Sequence, residues 1–158
     1  MWQKIKPYVI SLIISLGVGG LSALLTQNSM DFYETIVKPP LAPPGWLFPV
    51  VWTILFILMG ISAALVWVKR KENREAAREG IKNYGFSLAV NFLWSIIFFN
   101  LREFLFSFVW LLLLLFLIGR TIYYYKKVCP TAAYLQIPYF LWVLFAGYLN
   151  FSIYVLNR

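Results

Sequence analysis

The sequence predicts an all-α integral membrane protein, a single domain (residues 1–158) built as a bundle of five transmembrane helices. Three observations carry this. Hydrophobic residues make up 61% of the chain, aromatics 20% and charged residues only 13%, whereas a soluble domain is about half apolar and about a quarter charged. The mean hydropathy is +0.74. At ~20 residues per spanning helix, 158 residues hold about five spans and leave no room for a separate soluble domain.

Span 1 runs over about 7–26, after Lys4 and Lys6. A cationic start followed by an apolar run also describes a signal peptide. This run exceeds a usual apolar signal core and has no clear small-x-small cleavage site, so a retained helix is expected. The stretch 27–45 is polar at first, with Asp31, Glu34 and Lys38, and ends in Lys38-Pro-Pro-Leu-Ala-Pro-Pro-Gly45. Each proline fixes φ and removes an N–H, so a stiff extended loop is expected there, with a short amphipathic helix over Ser29–Val37.

Span 2 covers about 46–68 and is free of charge, with Pro49 in its first turn, where proline is tolerated. The basic stretch 69–80 reads as a solvated linker whose Glu and Arg residues pair at helical spacing. Spans 3, 4 and 5 follow over about 81–100, 104–125 and 131–156. Pro138 lies inside span 5 and predicts a kink or local unwinding.

Charge sets the expected orientation. Net charge is +8, which on a soluble protein would suggest nucleic acid; in short connections between spans it is topological, and no nucleic-acid partner is expected. With the N-terminus inside, the inner side holds Lys4, Lys6, Lys69, Arg70, Lys71, Arg74, Arg78, Lys82, Arg120, Lys126 and Lys127, against Lys38, Arg102 and Arg158 outside. That asymmetry predicts N-in, C-out, with the proline-rich loop outward. A bacterial inner membrane is the expected host, with the lipid bilayer itself as partner.

The residue inventory excludes several chemistries. Cys129 is the single cysteine and histidine is absent, so an intramolecular disulfide, histidine metal sites and the usual general base are ruled out. No metal site and no required cofactor are expected. Spans 2, 3 and 5 lack mid-span ionisable residues, which disfavours a charge-driven transporter. Arg120 is close enough to the inner edge to snorkel. What remains is aromatic surface and amides. An interfacial belt accounts for Trp2, Trp46, Trp67 and Tyr123-Tyr124-Tyr125, while Trp52 and Trp142 lie deeper. Asn91, Asn100 and Asn150 either bond between helices or place polar points in an apolar pocket for a flat ligand. Gly85-x-x-x-Ala89 and Gly60-x-x-x-Ala64 permit close helix approach, and Gly85 and Ala89 are the candidate dimer interface.

Three segments resemble one family: KPPLAPPGWLFPVVWTILFILMG (Lys38 to Gly60), NFLWSIIFF (Asn91 to Phe99) and AAYLQIPYFLWVLFAGYLN (Ala132 to Asn150). The proline-bracketed loop feeding a Trp-bearing span, with Pro-Tyr-x-x-Trp and Phe-Ala-x-x-Leu-Asn in the last span, is similar to the TspO/translocator protein family. The resemblance covers nearly the whole chain. It implies a five-helix bundle, commonly a homodimer, that takes porphyrins such as protoporphyrin IX and, in many members, sterols and drug-like ligands. It also brings proposals of porphyrin transport and, for some bacterial members, light-dependent porphyrin breakdown.

Carried over by motif position, the pocket would use Trp52, Asn91, Trp94, Tyr139, Trp142, Ala146, Leu149 and Asn150, with Phe48, Pro49, Phe106, Val109 and Leu113 from aligned positions. Asn91 and Asn150 would orient the polar edges of a porphyrin-type ligand or substrate and Lys38 would attract a propionate. Trp52 and Trp142 would be its redox partners in any photo-oxidative reaction. Leu41 stands where the family's first loop usually has Trp, and Phe32 where an aromatic is often Trp. At the positions of the animal Tyr/Tyr/Arg sterol motif this chain has Phe151, Ser152 and Val155, which speaks against cholesterol as natural ligand. The alternatives left open are a porphyrin-degrading enzyme and a sterol-binding or scaffold protein.

Overall fold

Helix accounts for every apolar run, and the computed structural model describes all residues, 1–158. The elements are α1 (Trp2–Thr26), α2 (Met30–Thr35), α3 (Leu47–Val68), α4 (Arg74–Ser95), α5 (Phe104–Val128) and α6 (Pro130–Leu156). In lipid a chain must satisfy its backbone polar groups internally, and continuous helices do this. Four stretches are long and apolar enough to cross a membrane: Trp2–Thr35, Leu47–Val68, Phe104–Val128 and Pro130–Leu156. The fifth long helix, α4, is less apolar because Arg74, Glu75, Arg78, Glu79 and Lys82 occupy its first turns.

The helices form a ring in the order α1, α3, α6, α5, α4, with broad packing between each successive pair. Closure is weak: α4 meets α1 sparsely, and α3 still less. Buried side chains concentrate where α4, α5 and α6 converge, including Leu88, Leu111, Leu114, Ile118, Tyr125, Tyr139 and Val143. On α1 only Ser15 and Thr26 are buried. It is held to α3 by small residues and hydroxyls. Ser11 Oγ donates to the Gly60 carbonyl (2.7 Å) and Ser15 Oγ to the Phe56 carbonyl (2.8 Å).

Several expectations are corrected. The basic stretch is a solvated linker only to Asn73, whose side chain accepts from the Ala76 N–H (3.1 Å) and starts α4 seven residues before residue 81. Its charges do not pair at helical spacing; the chain's one ion pair joins the neighbours Arg78 and Glu79 at 3.9 Å. Pro138 does not unwind α6, which continues unbroken to Leu156. The departure from α-geometry falls instead at the end of span 3, where Ile96–Asn100 forms a π-turn and Leu101 N–H donates to the Ile96 carbonyl (3.0 Å). Arg102 then takes a left-handed φ of 56° to turn the chain into α5. Tyr125 does not join an interfacial belt: it is fully buried against Gly80, where any Cβ would meet its ring at 2.6 Å.

The loop before α3 contains a 3₁₀ turn (Gln27–Ser29) and α2, in line with the expected short helix. Its proline-rich part is folded rather than extended. Ala42 N–H closes a turn on the Pro39 carbonyl (3.1 Å), and Tyr33 Oη donates to the Pro43 carbonyl (2.9 Å).

Candidate functional site

A cavity of about 280 Å³ opens at the loop-side end of the weak α1/α4 seam. Three helices supply its walls, each for a sequence reason. α1 contributes Gly19, Ser22, Ala23 and Thr26, small side chains that leave space instead of filling it. α3 contributes Phe48, Pro49, Trp52 and Phe56, on one face at helical spacing. From α4 and its π-turn come Asn91, Trp94, Ser95 and Phe99, while Gln27 and Met30 close the loop side. An apolar, aromatic hollow with a few polar points has the composition of a small-molecule site.

The aromatic rings are held by their neighbours. Trp52 lies against Phe56 (5.7 Å between centroids) and meets Tyr139 edge-on (6.2 Å). Phe48 is edge-on to Tyr33 of α2 (5.1 Å) and to Trp142 of α6 (6.0 Å). Trp94 stacks on Phe98 (5.5 Å) and donates its Nε1–H to Asn150 Oδ1 (3.0 Å). The same oxygen accepts from Ser107 Oγ (3.0 Å), and Asn150 Nδ2 donates to the Phe104 carbonyl (2.8 Å). Asn91 Nδ2 donates to Tyr139 Oη (3.0 Å), leaving its carbonyl oxygen free at the cavity wall.

Of the sequence-derived residues, Phe48, Pro49, Trp52, Asn91 and Trp94 line the cavity together. Tyr139 and Trp142 form a second layer behind Trp52 and Phe48. The buried Trp142 Nε1 has no hydrogen-bond partner. Ala146, Leu149 and Asn150 are buried inside the bundle, away from the wall. Asn150 has its amide engaged on three protein groups, so it ties α4, α5 and α6 together and is not free to orient a ligand.

Phe106, Val109 and Leu113 are exposed on the outside of α5 and do not reach the cavity, a correction to their assignment by aligned position. Lys38 is likewise already occupied. Its Nζ donates to the Tyr33 carbonyl (2.8 Å) and sits 4.9 Å from the Tyr33 ring centroid, capping α2. Gly85 and Ala89 are exposed on α4, and no atom lies within 4 Å of a Cβ built on Gly85.

Sequence reasoning missed the α1 wall altogether. Its signal was present in the small-residue run Gly17 to Ala23, legible as a face that cannot fill its own groove. Ser95 and Phe99 were missed although they lie one and two helical turns after Asn91, on the same face at i+4 and i+8.

Comparison with known proteins fits this architecture. The TspO/MBR family model matches residues 9–156. The "Tryptophan-rich protein TspO" of Chlorobaculum tepidum is 39% identical over 152 residues, covering 94% of this chain and 92% of that protein. "Protein CrtK" of Rhodobacter capsulatus is 40% identical over 139 residues (88% and 85% covered). The "Translocator protein" of Bos taurus is 32% identical over 149 residues (94% and 88% covered). With a whole-length family match and relatives of this similarity, the chain belongs to the TspO/MBR family.

Proposed function

We propose that this protein binds a porphyrin-type tetrapyrrole in the cavity between α1, α3 and α4, as a receptor or carrier in an inner bacterial membrane with its N-terminus inside and a second copy as partner. The observation that carries the reading is the wall itself: two indoles and three phenyl rings, with one open amide at Asn91. A flat, π-rich macrocycle stacks on such walls. An open Asn91 carbonyl oxygen accepts a pyrrole N–H, which favours a metal-free ring. No histidine is available for iron.

At about 280 Å³ the cavity is at the small end for drug-sized ligands. A macrocycle therefore enters with displacement of the loop that carries α2, or seats partly in the open seam. A second reading, light-driven breakdown of the porphyrin with dissolved dioxygen as the oxidant, draws on Trp52: its indole is on the wall and in edge contact with Tyr139, which places a redox-active side chain against the macrocycle.

The test is a titration of the protein in nanodiscs with protoporphyrin IX, in the dark and then under light, following tryptophan quenching and the Soret band. Saturable binding at one per protomer is expected, and its absence would overturn the reading. Loss of the Soret band with a defined product, abolished by Trp52→Phe at unchanged affinity, would favour the enzyme.

A further inference from the structure

At the opposite end of the same α1/α4 seam lies a second hollow, unconnected with the tetrapyrrole reading. It is an open groove of about 420 Å³ whose apolar walls include Ile10 and Ile14 of α1, Ala64 of α3 and Gly85 and Leu88 of α4. Ile10 and Ile14 are 46% and 51% exposed, so the groove faces the hydrocarbon. Trp67 and Ile81 form its mouth, and both also border a cationic cleft of about 600 Å³. That cleft is lined by Arg70, Lys71, Arg74, Arg78 and Lys82 and by no carboxylate. Of these five, only Arg78 has an acidic partner, Glu79 at 3.9 Å. Arg70 is fixed in place, its guanidinium 4.2 Å from the Trp67 ring centroid and donating to the Trp67 carbonyl.

An apolar groove opening through a Trp/Ile neck into a cluster of cations, four of the five without an acidic partner, has the two-part chemistry that complements an amphipathic anion. We propose that this seam is a specific site for an anionic phospholipid. The phosphate is held by Arg70, Arg74, Arg78 and Lys82, and an acyl chain runs between α1 and α4. From Ile81 to Leu88 the groove follows roughly 10 Å of helix, enough for the upper part of a chain. Basic clefts between spanning helices recognise acidic headgroups by the same physics. Bound there, the lipid fills the gap that the sparse α1/α4 packing leaves.

The test is native mass spectrometry of the full chain released from vesicles of equal phosphatidylglycerol and phosphatidylcholine. Wild type is expected to retain phosphatidylglycerol at least tenfold over phosphatidylcholine. Arg74→Gln/Arg78→Gln/Lys82→Gln should bring the two to parity. Gly85→Leu, which adds bulk where a Cβ meets open space, should remove the adduct with every charge intact, while the tetrapyrrole titration stays unchanged. Equal retention of both lipids by wild type overturns the proposal without any variant. So does an adduct unaffected by Gly85→Leu, full displacement by millimolar inorganic phosphate, or a lipid-free dimer crosslinked through Gly85→Cys.

Discussion

Asn91 and Asn150 are the same residue type in the same bundle, and their surroundings give them opposite work. Asn150 satisfies three groups on two neighbouring helices: the Trp94 indole, the Ser107 hydroxyl and the Phe104 carbonyl. Asn91 makes one side-chain bond, to Tyr139, and keeps its oxygen open to the cavity. Hydrogen bonds between membrane helices average ~0.6 kcal/mol each, so Asn150→Ala should cost about 2 kcal/mol and lower the melting temperature. Asn91→Ala should cost under about 1 kcal/mol of stability yet weaken protoporphyrin IX binding severalfold. A thermal melt and a dark titration on both variants check this; equal stability losses would show that both amides are merely structural. The sequence set the asparagines apart as either glue or ligand contacts, but composition could not divide them. The division depends on partners 43 to 56 residues away.

Among the elements, α1 is the one whose placement depends most on absence of side chain. A Cβ on Gly60 would stand 2.7 Å from Ser15 Oγ and 3.2 Å from the Leu12 Cα, a backbone atom that cannot swing aside. Gly60→Val is therefore expected to push α1 from α3, break the Ser11 and Ser15 bonds to the α3 carbonyls and cost about 1–3 kcal/mol. Gly20, with nothing within 4 Å of a built Cβ, is the control: Gly20→Ala should gain up to about 1 kcal/mol from helix propensity alone. Opposite shifts in thermal melts of the two variants are the expected result. The long helices were legible because apolar runs of spanning length admit little else. Their ends were not: Asn73 capping starts α4 early, and the π-turn at Ile96–Asn100 has no residue signature that distinguishes it from continued α-helix. The small-residue pair Gly60/Ala64 was read as a close-approach face, and close approach is what Gly60 provides, within the chain at α1.

Across the whole molecule, the ring is open at one seam and covered at one end, and these two facts together govern access. The α2 loop covers the cavity through contacts distributed over distant parts of the chain. Asn157, past the end of α6, accepts from the Val37 N–H (3.0 Å) and donates to the Val37 carbonyl (2.8 Å). Arg102 lies over the Phe32 ring at 4.5 Å, and Ser29 Oγ donates to Asn100 Oδ1 (2.7 Å). None of these partners is adjacent in sequence, which is why the stretch read as a stiff strap rather than a latched cover. On the proposed reading, a macrocycle larger than the cavity of about 280 Å³ passes this cover, and entry and exit then share one opening step. The Asn157 clamp is exposed, and surface bonds of this kind contribute only about 1 kcal/mol; that is small against the fold but sizeable for a loop. Asn157→Ala removes both clamp bonds and touches no cavity residue. It should raise the association and dissociation rates of protoporphyrin IX together, by about fivefold at 1 kcal/mol, and leave the dissociation constant within about twofold. Stopped-flow tryptophan quenching measures both rates. If they are unchanged while binding remains saturable, the ligand enters through the α1/α4 seam and the loop is a fixed cap.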